Sequence, residues 1–289
     1  MRHRFFGETG LKLSEIGLGG LLARYEGVSG HPPAAEKRRI YLEAASQGVN
    51  LFDMGYGDER HIPDELKGNS GSHYFALKAG APTAESLLDT VTCHLRNVRR
   101  DAIDILRVHY SAFRDDEALR TAILRLKESG QIRFLCLIRH YLEDQESYVS
   151  DGPVTEADGD LVMYNYVYRW QSAGIERAAS QGKGVLIMKA LGGQWIGWDD
   201  KIQPKWAQVS REELPGFAAN KEKIPQHLNL VHPVSVGPWH ELAEPCQTGV
   251  RTSSAVAWVL RNEAVSSVLV AVASVSELSE LLEKHCNTS

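Results

Sequence analysis

The sequence has no long apolar run, few cysteines and no surplus of basic residues, and each shortage excludes a class of protein. Nowhere do 18 or more apolar residues run together, so no transmembrane helix is expected. The start, Met1-Arg2-His3-Arg4-Phe5-Phe6-Gly7, lacks the apolar core of a signal peptide, which makes a cytoplasmic location the default expectation. The four cysteines, Cys93, Cys136, Cys246 and Cys286, lie far apart with no Cys-x-x-Cys pair. Neither a zinc knuckle nor an iron–sulfur site can be built locally from them, so no metal is expected, and they read as reduced thiols. Lys and Arg number 32 against 37 Asp and Glu, a formal charge of −5. The densest basic run, Lys37-Arg38-Arg39, reads as a solvated helix face, and no nucleic-acid partner is expected. A Gly-x-Gly-x-x-Gly after the first strand is also missing, since Gly17-Leu18-Gly19-Gly20 has the wrong spacing, and a dinucleotide-binding open sheet loses its main support.

What is present is a chain of 289 residues, 43% apolar, whose short apolar runs alternate with amphipathic stretches. Strand signals fall at 16–18, 49–52, 74–77, 103–108, 132–138, 161–164, 185–188 and 267–270. Between them helices are predicted over 34–46, 59–67 and 84–98, from Asp115 or Asp116 to the Ser129-Gly130 stop, over 254–260 and over 275–285. Strands alternating with helices imply right-handed βαβ units and a parallel sheet. Eight of them in a chain this short favour a closed (β/α)8 TIM barrel, read as a single domain spanning the chain.

Two stretches break the rhythm. The fifth helix is poor over 141–160, where Asp151-Gly152-Pro153 intervenes, and it reads as short or looped. From about 192 to 250 lies a long insertion between the seventh strand and the last helix–strand unit, carrying Trp195, Trp198, Trp206 and Trp239. It reads either as a lid or specificity segment over the catalytic end or as a surface excursion packed by its own tryptophans.

A barrel of this kind does its chemistry with polar residues just past the C-terminal ends of its strands. Those residues are Asp53 and Tyr56, Lys78, His109, Arg139 and His140, Asn165 and Lys189. Four of them have a joint logic. A buried ammonium at Lys78 lowers the pKa of a neighbouring Tyr56 hydroxyl, Asp53 holds that ammonium charged, and His109 orients a substrate or shares the proton. The tyrosine then donates a proton to a carbonyl oxygen, or accepts one from an alcohol.

At these residues the sequence resembles the aldo-keto reductase superfamily. Gly48-Val49-Asn50-Leu51-Phe52-Asp53-Met54-Gly55-Tyr56-Gly57 is similar to the family's G-[IV]-N-x-[FI]-D-T-A-x-x-Y-G, with two residues fewer between Asp53 and Tyr56. Ala76-Leu77-Lys78 resembles its [AS]-T-K strand, and Asp104-Ile105-Leu106-Arg107-Val108-His109 its D-x-x-x-[LI]-H. Lys127-Glu128-Ser129-Gly130-Gln131-Ile132-Arg133 resembles K-x-x-G-K-I-R, and Met188-Lys189-Ala190-Leu191-Gly192-Gly193 the M-K-P-L-x-G of one branch, whose iron–sulfur cysteines are absent here. The resemblance implies a barrel with an Asp53, Tyr56, Lys78, His109 tetrad and a nicotinamide cofactor, NAD or NADP. Its cofactor-facing positions would be Gly19, Arg139, Asn165, Met188, Lys189, Ser274 and Glu277.

The departures concentrate on that cofactor. The family's Gly-Val-Ser-Asn-Phe, which holds the nicotinamide carboxamide, stands here as Cys136-Leu137-Ile138-Arg139-His140, and its strand-six Gln as Leu161. Its phosphate-closing glycine and serine run is Ala271-Val272-Ala273-Ser274, and its later Asn is Leu281. Glu277 replaces a Gln or Arg beside the adenosine ribose, and a carboxylate there repels a 2′-phosphate and favours NAD over NADP. Three readings follow. The first is an oxidoreductase that reduces a small-molecule carbonyl or oxidises an alcohol. The second is a cofactor-independent lyase, isomerase or cyclase acting on an anionic small molecule, with Arg139 as a bidentate anchor. The third is a non-catalytic barrel that binds a partner through its Trp-rich insertion. The oligomeric state stays open.

Overall fold

In the computed structural model the described residues are 1–19, 33–54, 60–68, 72–166, 168–191, 242, 251–272 and 274–283. Tyr56 and all of the 192–250 insertion except Leu242 lie outside them.

An antiparallel hairpin, β1 (His3–Phe5) and β2 (Lys12–Ser14), precedes the alternating part of the chain. There follow β3 (Ile16–Leu18), α1 (Ala34–Ser46), β4 (Leu51–Met54), β5 (Tyr74–Gly80), α2 (Ala84–Val98) and β6 (Ile103–His109). Next come α3 (Tyr110–Asp115), α4 (Glu117–Glu128), β7 (Ile132–Arg139), α5 (Leu142–Ser150), β8 (Gly159–Met163), α6 (Ser172–Ser180) and β9 (Gly184–Met188). The described chain ends with α7 (Thr252–Val259), β10 (Ser267–Val270) and α8 (Val275–Leu282). Strands β3 to β10 close into a barrel in the order β10-β3-β4-β5-β6-β7-β8-β9, every neighbouring pair parallel. The chain is therefore a (β/α)8 barrel, as its strand–helix alternation predicts.

Local chemistry explains most boundaries. Thr83 opens α2 with a capping box, its side chain accepting from the Ser86 amide while Ser86 Oγ accepts from the Thr83 amide. Asp116 caps α4 by accepting from the Leu119 amide at 2.9 Å. Two sequence expectations need correction. Among the described residues of 59–67 no α-helix forms, and Asp64–Leu66 is a 3-10 turn, because Pro63 biases the residue before it away from helix and Gly68, at φ +84, follows the turn. The fifth helix forms as the short α5, one of the two outcomes expected, and Asp151-Gly152-Pro153 terminates it rather than lying inside it. The hairpin and the short α3 and α6 are additions that periodicity did not flag.

Alternation along each strand sends one face inward. Leu51, Ala76, Ile105, Cys136, Ile138, Leu161, Leu186 and Leu269 fill the barrel interior, with Phe6, Leu11 and Leu13 of the hairpin segment packed against them. Phe6 closes the floor over two glycines. A Cβ on Gly184 would lie 2.1 Å from its ring and one on Gly159 2.5 Å from it, so only glycine admits the plug. The outward faces pack against the helices in two further apolar clusters. Among the described residues no helix is long and apolar enough to cross a membrane, and no group of His, Cys, Asp and Glu could hold a metal.

Candidate active site at the barrel mouth

The inward alternation that fills the interior places the polar residues above it. Two residues beyond Leu51, Ala76 and Ile105 come Asp53, Lys78 and Arg107, and two beyond Arg107 comes His109. The register sets Asp53 beside Ala76, Lys78 beside Arg107, and His109 beside Ile138. A register shift between Lys78 and Gly80 re-aims the end of β5 at this point. Neighbouring strands thus bring Asp53, Lys78 and His109 to one end of the barrel.

Arg107 joins them, and sequence reasoning did not select it. Its Nη2 donates a short hydrogen bond to Asp53 Oδ1, and both side chains are buried. The signal was available, since Arg107 stands two residues before His109 on the same strand and so shares its inward face. A cation in the interior must have a carboxylate partner, and Asp53 is that partner.

His109 is nearly buried, with its ring stacked on Tyr141 (centroids 4.6 Å apart, planes 27°) and 6.2 Å from the His140 ring. Burial, then the charges of Lys78 and Arg107, lower its pKa to about 4. Burial, then Lys189, Lys78 and His109, lower that of His140 to about 3. Both imidazoles are neutral at pH 7, able to donate through one ring nitrogen and accept through the other. His94, buried on α2, is lowered to about 4, chiefly by burial and then by Arg100.

These shifts set a pH dependence. Relative to an ordinary value of 6.5, the unfolded chain takes up protons at His94, His109 and His140 that the folded chain refuses. Stability from these groups is intact above about pH 6.5 and is lost as the pH falls to about 4. Asp144, raised to about 6 by burial, and Asp160, raised by burial, have the opposite sign and lose stability as the pH rises, while His3 and His73, lowered chiefly by burial, add to the histidine side. Thermal melts followed by circular dichroism are expected to show Tm climbing from pH 4 to pH 7; a flat or falling Tm would contradict the burial of these histidines.

Of the other expected site residues, Arg139 is placed elsewhere. Its neighbour Ile138 faces the interior, so Arg139 faces the helix layer, fully buried. There its Nε donates to Asp160 Oδ1 at 2.7 Å and its Nη1 to Ser147 Oγ at 3.2 Å, and its guanidinium lies 3.8 Å from the centre of the Tyr110 ring. It cannot anchor a ligand in the mouth, which corrects that expectation and removes the bidentate anchor of the cofactor-independent reading. Asn165 serves the backbone, its Nδ2 donating to Lys189 O at 2.9 Å and its Oδ1 accepting from the Tyr168 amide at 2.8 Å. Lys189 has a left-handed backbone, φ 60. Met188 is half-buried against the interior cluster. Gly19 donates to Val270 O at 2.8 Å, and a Cβ there would come within 3.2 Å of the β10 end, so it serves the close β3–β10 seam. Ser274 caps α8 by accepting from the Glu277 amide at 3.1 Å, which puts Glu277 in the first turn of that helix.

No protein-family model matches the chain, and no curated protein does. Solved structures do. PA4992 of Pseudomonas aeruginosa, named as an aldo-keto reductase, superposes with a TM-score of 0.65 at 19% identity, covering 98% of this chain and 94% of that one. The aldo-keto reductase AKR11C1 of Bacillus halodurans, in its holo form, gives a TM-score of 0.68 at 17% identity, covering 100% of this chain and 91% of that one. The chain has the aldo-keto reductase fold.

In an aldo-keto reductase barrel the resemblance puts the carboxamide of a nicotinamide against the positions of Ile138, Arg139 and Leu161. Ile138 and Leu161 are buried apolar residues of the interior cluster, and Arg139 is turned away. None of the three offers the carboxamide a hydrogen bond. Where the resemblance puts the adenosine end, Glu36 of α1 accepts from the Val275 amide at 3.1 Å, so the N-terminus of α8 already holds a carboxylate, with Glu277 in its first turn. These residues do not fit a nicotinamide dinucleotide held by the family's contacts, and they fit a 2′-phosphate least.

Proposed function

We propose that the chain is an oxidoreductase of aldo-keto reductase type that reduces the carbonyl of a small molecule, or oxidises the matching alcohol, with a cytoplasmic location as the default; NADH, held by contacts other than the family's carboxamide set, would supply the hydride, and NAD would take it in the reverse direction. The observation that carries this reading is the meeting of Asp53, Lys78 and His109 on successive strand ends at one mouth. In this reading Tyr56 gives the proton to the carbonyl oxygen, and the Lys78 ammonium stabilises the tyrosinate that remains. Asp53 and Arg107 act as a fixed ion pair beneath, and His109, neutral at pH 7, directs a ring N–H at the same oxygen.

A second reading has a specific observation behind it. Ile138 and Leu161 leave the carboxamide positions apolar, which favours redox-neutral acid–base chemistry by the same Lys78, Tyr56 and His109. Thermal shift and tryptophan fluorescence with NADH and NADPH separate the two. The oxidoreductase reading expects NADH to raise Tm, by the equivalent of about 2.7 kcal/mol at 100 times its Kd. NADPH is expected to bind about tenfold more weakly, since a carboxylate–phosphate approach at partly exposed distances costs about 1–2 kcal/mol. Silence with both cofactors at millimolar concentration would hand the site to the redox-neutral reading.

A further inference from the structure

Three buried side chains tie together the ends of β7, β8 and β9 behind the mouth. His140 lies beyond the last register pair of β7 with β8, Arg139 with Val162. Gln145 Nε2 donates to the His140 carbonyl at 2.8 Å, and Gln145 Oε1 accepts from the Tyr168 hydroxyl. The Tyr168 amide donates to Asn165 Oδ1 at 2.8 Å, the Asn165 amide to Tyr168 O at 3.0 Å, and Asn165 Nδ2 to Lys189 O at 2.9 Å. Gln145, Tyr168 and Asn165 are all buried.

The hydrogen-bond types fix each amide one way round. Reversing Gln145 would face its oxygen to the His140 carbonyl, and reversing Asn165 would do the same at Lys189, so each amide has one acceptable orientation. The two ends of the relay carry the groups that matter at the mouth. His140 stands beside His109, and the Lys189 charge reaches His140. Lys189 also holds a left-handed backbone, which a residue with a Cβ keeps only where its surroundings fix it, and the bond from Asn165 is such a fixture.

We propose that Gln145 is a positioning residue of the mouth, setting where His140 and, through Tyr168 and Asn165, Lys189 stand relative to His109. It touches no substrate itself, and its role in catalysis rests on the mouth being the reaction site. Its effect is read without turnover, by NMR titration of isotope-labelled histidines in the full chain. In the wild type His140 titrates far down, near 3, under burial and the charges of Lys189, Lys78 and His109. In Gln145→Leu its titration is expected to rise by at least one pH unit as the strand end loosens, while His94, held on α2, stays in place. If that variant does not fold, Gln145→Met, closer in length to glutamine, carries the same measurement. A folded variant whose His140 titration stays within a few tenths of the wild-type value would overturn the proposal. A wild-type protein that reduces no carbonyl would instead sink the oxidoreductase reading and leave the positioning to be decided by His140.

Discussion

Arg139→Met is expected to lower folding stability by about 3–5 kcal/mol, the usual result of leaving one member of a buried ion pair without the other. For a chain of this size that is a fall in Tm on the order of 10 °C. Arg139 and Asp160 are each 0% exposed and joined at 2.7 Å, so the variant leaves a buried carboxylate without its ion-pair partner. Part of the loss is packing, because the guanidinium lies 3.8 Å from the Tyr110 ring centre and 5.3 Å from that of Tyr148. The double variant Arg139→Met with Asp160→Leu separates charge from packing. Replacing both partners by apolar groups is often neutral, so the double variant is expected to recover most of the lost Tm. If the single variant melted within a degree or two of wild type, Arg139 would not be the buried structural cation described, and a ligand-anchoring role would return to consideration.

Lys78→Met is expected to behave in the opposite way, sparing the fold and abolishing the chemistry. Turnover should fall by about 10²–10⁴-fold, the range for removing a group that enables proton transfer, with Tm within a few degrees of wild type because methionine fills the same inward channel. The expectation holds for either reaction class, since both use the Lys78 charge. It also has a readout that needs no substrate. Lys78 helps to hold His109 down at about 4, so removing that like charge is expected to raise the His109 titration toward 6.5, visible by NMR. An unchanged His109 titration would mean that the ammonium does not face the imidazole. Unchanged turnover would remove Lys78 from the proposed mechanism.

The sequence by itself determined the barrel. Eight apolar runs alternating with helical periods leave few ways to bury both, and the predicted bounds of α1 and α2 coincide with the observed Ala34–Ser46 and Ala84–Val98. Period-two alternation also carried Asp53, Lys78 and His109 to strand ends, because a strand's inward face is written in its own residues. What alternation alone left open is which polar side chain is taken by a distant partner. Arg139 and His140 are adjacent in sequence and equally polar, yet His140 stands beside His109 at the mouth, while Arg139, already sent outward by the period of its strand, is held in the helix layer by Asp160, 21 residues away. The period of β6 sends Arg107 inward with His109, but only the barrel shows its partner, when β4 brings Asp53 beside it, 54 residues distant in the chain. Asn165 likewise looks like a ligand contact until the end of β9 presents a carbonyl to its amide. Burial is a property of local pattern, and pattern is legible in one dimension. The pairing of buried charges is decided by which strands and helices become neighbours, and only the closed barrel makes those neighbours.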